Sequence, residues 1–340
     1  MAIGVINLTS IDVHFAKKQV IFDITALVFF FVFSFFDYRN LKYITEIFYV
    51  VILLLLMGVL VTHVNGSSRW INLKFFSVQP SEFAKLALII FIAKILNLVG
   101  NKEYLSIILT TVGTLVYTGL VFIEPDLGTS IEFILIWFFM VIFMNFDWKI
   151  SVSIIIFFIL VSIVGFEFMK DYQKARILAF LNPYEDPYGR GYNVIQSMRS
   201  VGSGGLIGLG YKNGIMHILK FLPEAHTDFA FASFSEEFGF FGIVGLMSLY
   251  LIQLFRILKT AFVSRDSFGF FIAIGFFILY LFQILENAGM NMGILPVTGI
   301  PLPFITYGGS SALVYSTFFG IINSIYIRKD SMLMDKYALF

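Results

Sequence analysis

At 340 residues, 59% hydrophobic and 13% charged, with a mean hydropathy of +0.88, the chain holds about half the charge of an ordinary globular protein. That composition excludes a soluble domain, and a net charge of +1 offers no bulk attraction for nucleic acid. Cysteine is absent, which excludes disulfides and thiolate metal sites.

The first dozen residues, MAIGVINLTSID, hold too short an apolar stretch for a signal peptide or a span. Nine apolar runs follow, at about 20–37, 44–63, 80–99, 104–123, 129–146, 149–168, 228–256, 267–289 and 310–327. Each is near the roughly 20 residues that a crossing helix needs. The runs are too long for barrel strands, so the predicted fold is an all-α polytopic helical bundle, a single integral membrane domain over residues 1–340.

Placing the C-terminus in the cytoplasm gives that side Arg39, Lys42, Lys102, Lys149, Arg256, Lys259, Arg265, Arg328, Lys329 and Lys336, against Lys17, Lys18, Arg69 and Lys74 opposite. The excess predicts that orientation. Residues 169–227 then form a large extracytoplasmic loop, and nine crossings leave the N-terminus outside.

The first polar constellation is NGSSRWINLKFFSVQPSEFAKL, residues 65–86. Asn65 to Ser68 read as a turn, Arg69 and Trp70 as an interfacial anchor, and Pro80 as a first helical residue with Gln79 or Ser81 at the cap. Glu82 and Lys85 share a helix face. They form either a surface ion pair at a helix start or the polar wall of an outward-facing cavity.

In the long loop, NPYEDPYGRGY is broken by proline and glycine and precedes an amphipathic stretch near 192–201. GSGGLIGLG follows no strand, so a phosphate-binding reading is weak. Tyr188, Arg190, Tyr192 and Arg199 suit a sugar phosphate or anionic headgroups, or plain interfacial anchoring. A loop of this length in a compact bundle points to function.

The run Lys220 to Gly239, KFLPEAHTDFAFASFSEEFG, is the most informative. Glu224, His226 and Asp228 crowd the mouth of an apolar helix, and Glu236 lies about 12 Å further along it at 1.5 Å per residue. Ionisable groups placed there point to chemistry or transport. Asp228 also suits an N-cap or first-turn acid. The four histidines have no zinc spacing, although one or two carboxylates and a substrate diphosphate could hold a hydrated Mg²⁺ transiently near Asp228. Residues 286–312, ENAGMNMGILPVTGIPLPFITYGGSSA, cannot be one helix, and 290–309 fit a re-entrant or lid-like segment.

FAKKQ, SFFDYR, NGSSRWINL, QPSEFAK, EPDLGTS, NPYEDPYGRGYNVIQS, GSGGLIGLG, FLPEAHTDFAFA, EEFGFFG and LPVTGIPLPFITYGGSS stand in this order between residues 15 and 328 or so. In these motifs the chain resembles the SEDS family of bacterial cell-wall polymerases, the RodA/FtsW/SpoVE group. The resemblance implies a peptidoglycan glycosyltransferase joining lipid II units into β-1,4 glycan strands at the outer face of the cytoplasmic membrane, beside a class B penicillin-binding protein. It carries the family's essential aspartate onto Asp228 and its functional Glu and Lys onto Glu82 and Lys85. Asp228 is the expected general base, raised by partial desolvation. Arg69, Gln79, Glu82, Lys85, Arg199, Glu224 and His226 are the expected substrate-binding residues. No resident cofactor is expected beyond the transient Mg²⁺. Family members typically have ten spans; FAKKQ resembles the segment before the second, so the usual first span is missing from this reading. Rival readings are a lipid II flippase, for which Glu132 and Glu286 keep a path open, a proton-coupled transporter relaying through Glu236 and Glu237, and a non-enzymatic transpeptidase scaffold. The motifs do not separate elongation from division.

Overall fold

The computed structural model describes residues 1–61, 69–72, 77–99, 103–124, 126–143, 152, 156 and 171–329. In chain order these form α1 (Ala2–Ile11), α2 (Val13–Phe35), a 3₁₀ turn (Tyr38–Asn40), α3 (Leu41–Val61), a minimal hairpin of β1 (Ile71–Asn72) and β2 (Ser77–Val78), α4 (Pro80–Val99), α5 (Glu103–Ile123) and α6 (Leu127–Ile142). Then come α7 (Asp171–Leu181), α8 (Tyr192–Ser203), α9 (Ile215–Ile218), α10 (Ala230–Phe262), α11 (Ser267–Asn291) and α12 (Gly309–Ile327).

Among the described residues six helices, α2, α3, α5, α10, α11 and α12, are long and apolar enough to cross a membrane. The 20-residue α4 carries Glu82, Lys85 and Lys94, and α6 is an apolar helix of 16 residues. The predicted run at 149–168 lies outside the described residues. The protein is a multi-pass helical membrane protein. Val20, Ile24, Val28, Phe31 and Phe35 on α2 stand exposed, as suits helices whose backbone is satisfied internally and whose surroundings are lipid.

The chain divides into two compact units. One comprises residues 22–146, 253–280 and 309–340. Within it α4 is central, packed on α3, α5, α6 and α12. Asp37 starts the turn into α3, its carboxylate accepting from Arg39 N at 3.0 Å; the Arg39 side chain beside it holds that carboxyl below the usual range. Asp126 starts α6 by accepting from the amide of Thr129 at 3.2 Å and its hydroxyl at 3.1 Å. Tyr49 and Tyr117 stack with centroids 4.3 Å apart, and Trp137 donates to Thr110 Oγ1 at 3.1 Å.

The other unit comprises residues 1–21, 147–252 and 281–308. Here α10, read from sequence as continuous, is interrupted at Gly239, with φ 62° and ψ −165°, a region open essentially to glycine alone. Residues 204–210 complete the broken ladder: Leu209 N and Gly210 N donate to the carbonyls of Glu236 and Glu237, and Phe240 N and Phe241 N donate to those of Gly205 and Leu206. The backbones meet so closely that a Cβ on Gly208 would lie 2.1 Å from Glu237 O, and one on Gly239 2.2 Å from Gly208 N. GSGGLIGLG is thus a packing element of α10.

Candidate functional site

The segment 222–229 is built on a small apolar core. Leu222, Ala225 and Phe229 are buried with Ala232, against Ile11, Val201, Met216 and Val297. Between these anchors, Glu224 is exposed and His226, Thr227 and Asp228 are half-buried. Phe229 N donates to Glu224 O at 3.2 Å, closing a tight turn in which Glu224 takes φ 53°, an uncommon value for a residue with a Cβ. Thr227 donates to Glu224 Oε2 at 3.0 Å. The segment therefore presents polar groups because its apolar ones face inward.

Two further stretches hold this turn in place. Tyr307 N donates to His226 O at 2.9 Å. Asn291 Nδ2 donates to Asp228 O at 3.1 Å, and Asn287 Nδ2 to the same carbonyl at 3.3 Å and to Ile300 O at 2.8 Å. The backbone between Val297 and Pro301 passes beside Asp228: a Cβ on Gly299 (φ 81°) would stand 3.5 Å from Asp228 Oδ2, in ordinary van der Waals contact with the carboxylate. His226 stacks on Phe15 with centroids 4.2 Å apart and an interplanar angle of 8°. Its Nε2 lies 3.9 Å from Glu224 Oε2, yet desolvation dominates and holds the imidazole below its ordinary pKa.

Arg199 is exposed on α8, two residues beyond Ser197, whose hydroxyl donates to Asn291 O at 2.9 Å. Arg190 instead closes its own turn, with its amide 3.1 Å from Asp186 Oδ2. Glu236 is fully buried and committed: Oε1 accepts from the amides of Ile215 (2.8 Å) and Met216 (3.1 Å), and Oε2 from Ser200 (3.2 Å). Glu237 accepts from Ser10. The two acids that a transporter would use as relays are thus bonded within the fold, and Glu286 is likewise engaged, accepting from Thr298 at 2.9 Å.

Arg69, Gln79, Glu82 and Lys85 belong to the other unit. Proline opens α4 as its fixed φ suggests. Glu82 and Lys85 are 3% and 0% exposed, so the pair lies inside the protein rather than on its surface. Lys85 Nζ is 2.7 Å from Glu82 Oε1 and 2.9 Å from Glu132 Oε2 of α6. Arg69 Nε donates to Glu124 O at 3.0 Å, and Gln79 N donates to Ser310 Oγ at 3.1 Å. Glu124, just past α5, is fully buried with no hydrogen bond to either carboxylate oxygen. Burial foremost, then the charge of Asp126, pushes it up to about 8 despite Arg69.

The pairing of Glu132 with Lys85, and of Asn287 and Asn291 with the Asp228 carbonyl, is visible only in the folded chain. The asparagines had a signal, two amides four residues apart on one face of an apolar helix. Among the described residues no group of three or more His, Cys, Asp or Glu side chains is placed to hold a metal ion.

A profile of the family described as cell cycle protein, comprising FtsW, RodA and SpoVE, matches residues 2–331. Peptidoglycan glycosyltransferase MrdB of Escherichia coli K12 is 37% identical over 270 residues, 79% of this chain and 73% of that protein. Stage V sporulation protein E of Bacillus subtilis is 35% identical over 326 residues, 92% of this chain and 86% of that one. Among solved structures, a chain from work on the structural coordination of polymerization and crosslinking by a peptidoglycan synthase complex aligns with a TM-score of 0.80 at 31% identity, covering 97% of this chain and 95% of that one. Rod shape determining protein RodA of Thermus thermophilus aligns with a TM-score of 0.71 at 26% identity, covering 97% and 93%. With the polytopic helical fold and these likenesses in agreement, the chain belongs to the FtsW/RodA/SpoVE family.

Proposed function

We propose that this chain is a peptidoglycan glycosyltransferase that polymerises lipid II, with release of undecaprenyl diphosphate. The observation that carries the reading is the 37% identity over 270 residues to a protein named as a peptidoglycan glycosyltransferase. The half-buried Asp228, on a turn tied down from several sides, gives it a chemical centre.

The acceptor's GlcNAc 4-hydroxyl attacks C1 of the donor's MurNAc. The new C1–O bond forms as the bond to the diphosphate breaks on the opposite face, and Asp228 takes the hydroxyl proton. This is inversion, for which one carboxylate base suffices. Holding the two lipids side by side supplies much of the remaining acceleration. The leaving diphosphate needs positive charge. Arg199, exposed on α8 in the same unit as Asp228, is assigned to that role, whereas Lys85 is enclosed by two carboxylates and is read as a brace between α4 and α6. Glu224 and His226 border Asp228 and are assigned to the sugar or diphosphate. A Mg²⁺ ion arriving with the diphosphate counts as part of the substrate.

We place the Asp228 mouth outside the cytoplasmic membrane and the C-terminus in the cytoplasm, from the distribution of Lys and Arg. A class B transpeptidase is the proposed partner, supported by the likeness to a chain of a peptidoglycan synthase complex. Glu132, Glu236, Glu237 and Glu286, on which the flippase and transporter readings draw, each have a partner within the fold.

The test is strand formation from purified lipid II by the chain with its transpeptidase partner. Wild type should give long strands and Asp228→Asn none, with the complex intact. Equal polymer from both would remove Asp228 as the base, and none from either would leave a scaffold or flippase.

A further inference from the structure

The carboxylate of Asp228 stands on a backbone that buried amides hold in place. An apolar helix in a membrane rarely carries unpaired amides, because each polar group without a partner costs free energy in a medium lacking water. Asn287 and Asn291 on α11 are both fully buried, and their hydrogen bonds converge on one place. Both Nδ2 groups donate to the carbonyl of Asp228, at 3.3 and 3.1 Å. Asn287 Nδ2 also donates to Ile300 O at 2.8 Å, joining the Asp228 turn to the stretch whose Gly299 flanks the carboxylate. Asn291 Nδ2 also donates to Asn287 O at 2.8 Å, while its Oδ1 accepts from Ala232 N at 3.2 Å and Ser197 Oγ at 3.1 Å. A pair of amides thus gathers the Asp228 turn, the first turn of α10, helix α8 and the 297–301 stretch.

We infer that Asn287 and Asn291 are positioning residues for the glycosyl transfer, setting where the Asp228 carboxylate stands relative to the backbone stretch that carries Gly299. The inference rests on the reading of Asp228 as general base. It gives these side chains a task that no apolar residue of similar size could perform, since both must donate to main-chain carbonyls. An error of about 1 Å in a reacting group can cost about a hundredfold in rate.

The experiment measures kcat and KM for lipid II with the full chain and its transpeptidase partner, for wild type, Asp228→Asn, Asn287→Ala and Asn287→Asp, each with its melting temperature in detergent. Asp228→Asn should abolish turnover, which tests the underlying reading on its own. Asn287→Ala should lower kcat about tenfold to a hundredfold with KM within about twofold of wild type, a split that general loosening of the fold would not produce. Asn287→Asp has the same size but, held protonated in this buried site, can donate to only one of the two carbonyls, and should also be impaired. It decides the question if the alanine variant does not fold. Wild-type kcat in Asn287→Asp, or a raised KM with unchanged kcat in either variant, would overturn the inference while leaving Asp228 as base. Full turnover by Asp228→Asn would overturn the reading beneath it.

Discussion

Lys85 is wholly enclosed, with Glu82 on its own helix and Glu132 on α6 both within 3 Å. Removing one member of a buried ionic group leaves charge uncompensated in a low dielectric, which costs about 3–5 kcal/mol. Lys85→Ala should therefore lower the melting temperature in detergent sharply, and adding Glu132→Gln should restore part of the loss; an unchanged melting temperature for the single variant would refute the brace. Glu124 poses the opposite problem, a carboxyl buried with no hydrogen-bond partner for either oxygen. Its folded-state value near 8 exceeds the ordinary 4.5. Between those two values the folded chain holds a proton that the unfolded chain has released, so stability falls as pH rises through the window, by up to about 1.4 kcal/mol per unit. Below the window both forms are protonated and the penalty vanishes. Glu124→Gln should thus gain on wild type between pH 5 and pH 8, read as melting temperatures at both values, and a parallel response of the two proteins would contradict it.

At the scale of elements, α10 depends on a loop that precedes it in the chain. The Gly239 conformation costs a residue with a Cβ about 1–3 kcal/mol, and that Cβ would also collide with Gly208 N at 2.2 Å. Gly239→Ala and Gly208→Ala should each lower the melting temperature, whereas Gly245→Ala, in a helical position with nothing within 4 Å of the added Cβ, should be neutral or stabilising by up to about 1 kcal/mol. Equal effects at all three positions would mean that the loop does not hold the break. The sequence announced the helices well, because hydropathy over a membrane-length window is a local quantity: α4 begins at Pro80 and α8 covers the amphipathic stretch, as read. It did not announce the break in α10, since one glycine in an apolar helical pattern carries no sign of what packs on it. Asp228 was legible as an acid at a helix mouth. Its backbone partners on α11 and the Glu132 partner of Lys85 were not, because each contact is made by a helix distant in the chain, and only packing brings them together.

For the molecule as a whole, the polymerase reading requires the Asp228 mouth to face the outer side of the membrane. Among the described residues between 171 and 229 the helices have 11, 12 and 4 residues, all too short to cross a bilayer, so Tyr188 and Asp228 share a side. Two helices long enough to cross, α10 and α11, meet at residues 263–266. The broken α10 spans 33 residues, and if it crosses once, Ser267 faces the compartment opposite Tyr188. The chain has no cysteine, so a single introduced thiol reports its own position without background. Tyr188 is 92% exposed and Ser267 is exposed at the start of α11, so neither Tyr188→Cys nor Ser267→Cys disturbs packing. In intact bacteria stripped of their outer barriers, a membrane-impermeant maleimide should modify Tyr188→Cys directly and Ser267→Cys only after permeabilisation. The reverse pattern would put Asp228 in the cytoplasm, where it could not act on strands growing outside, and the polymerase reading would fail even if Asp228→Asn proved inactive. Labelling of both without permeabilisation would show that α10 does not cross.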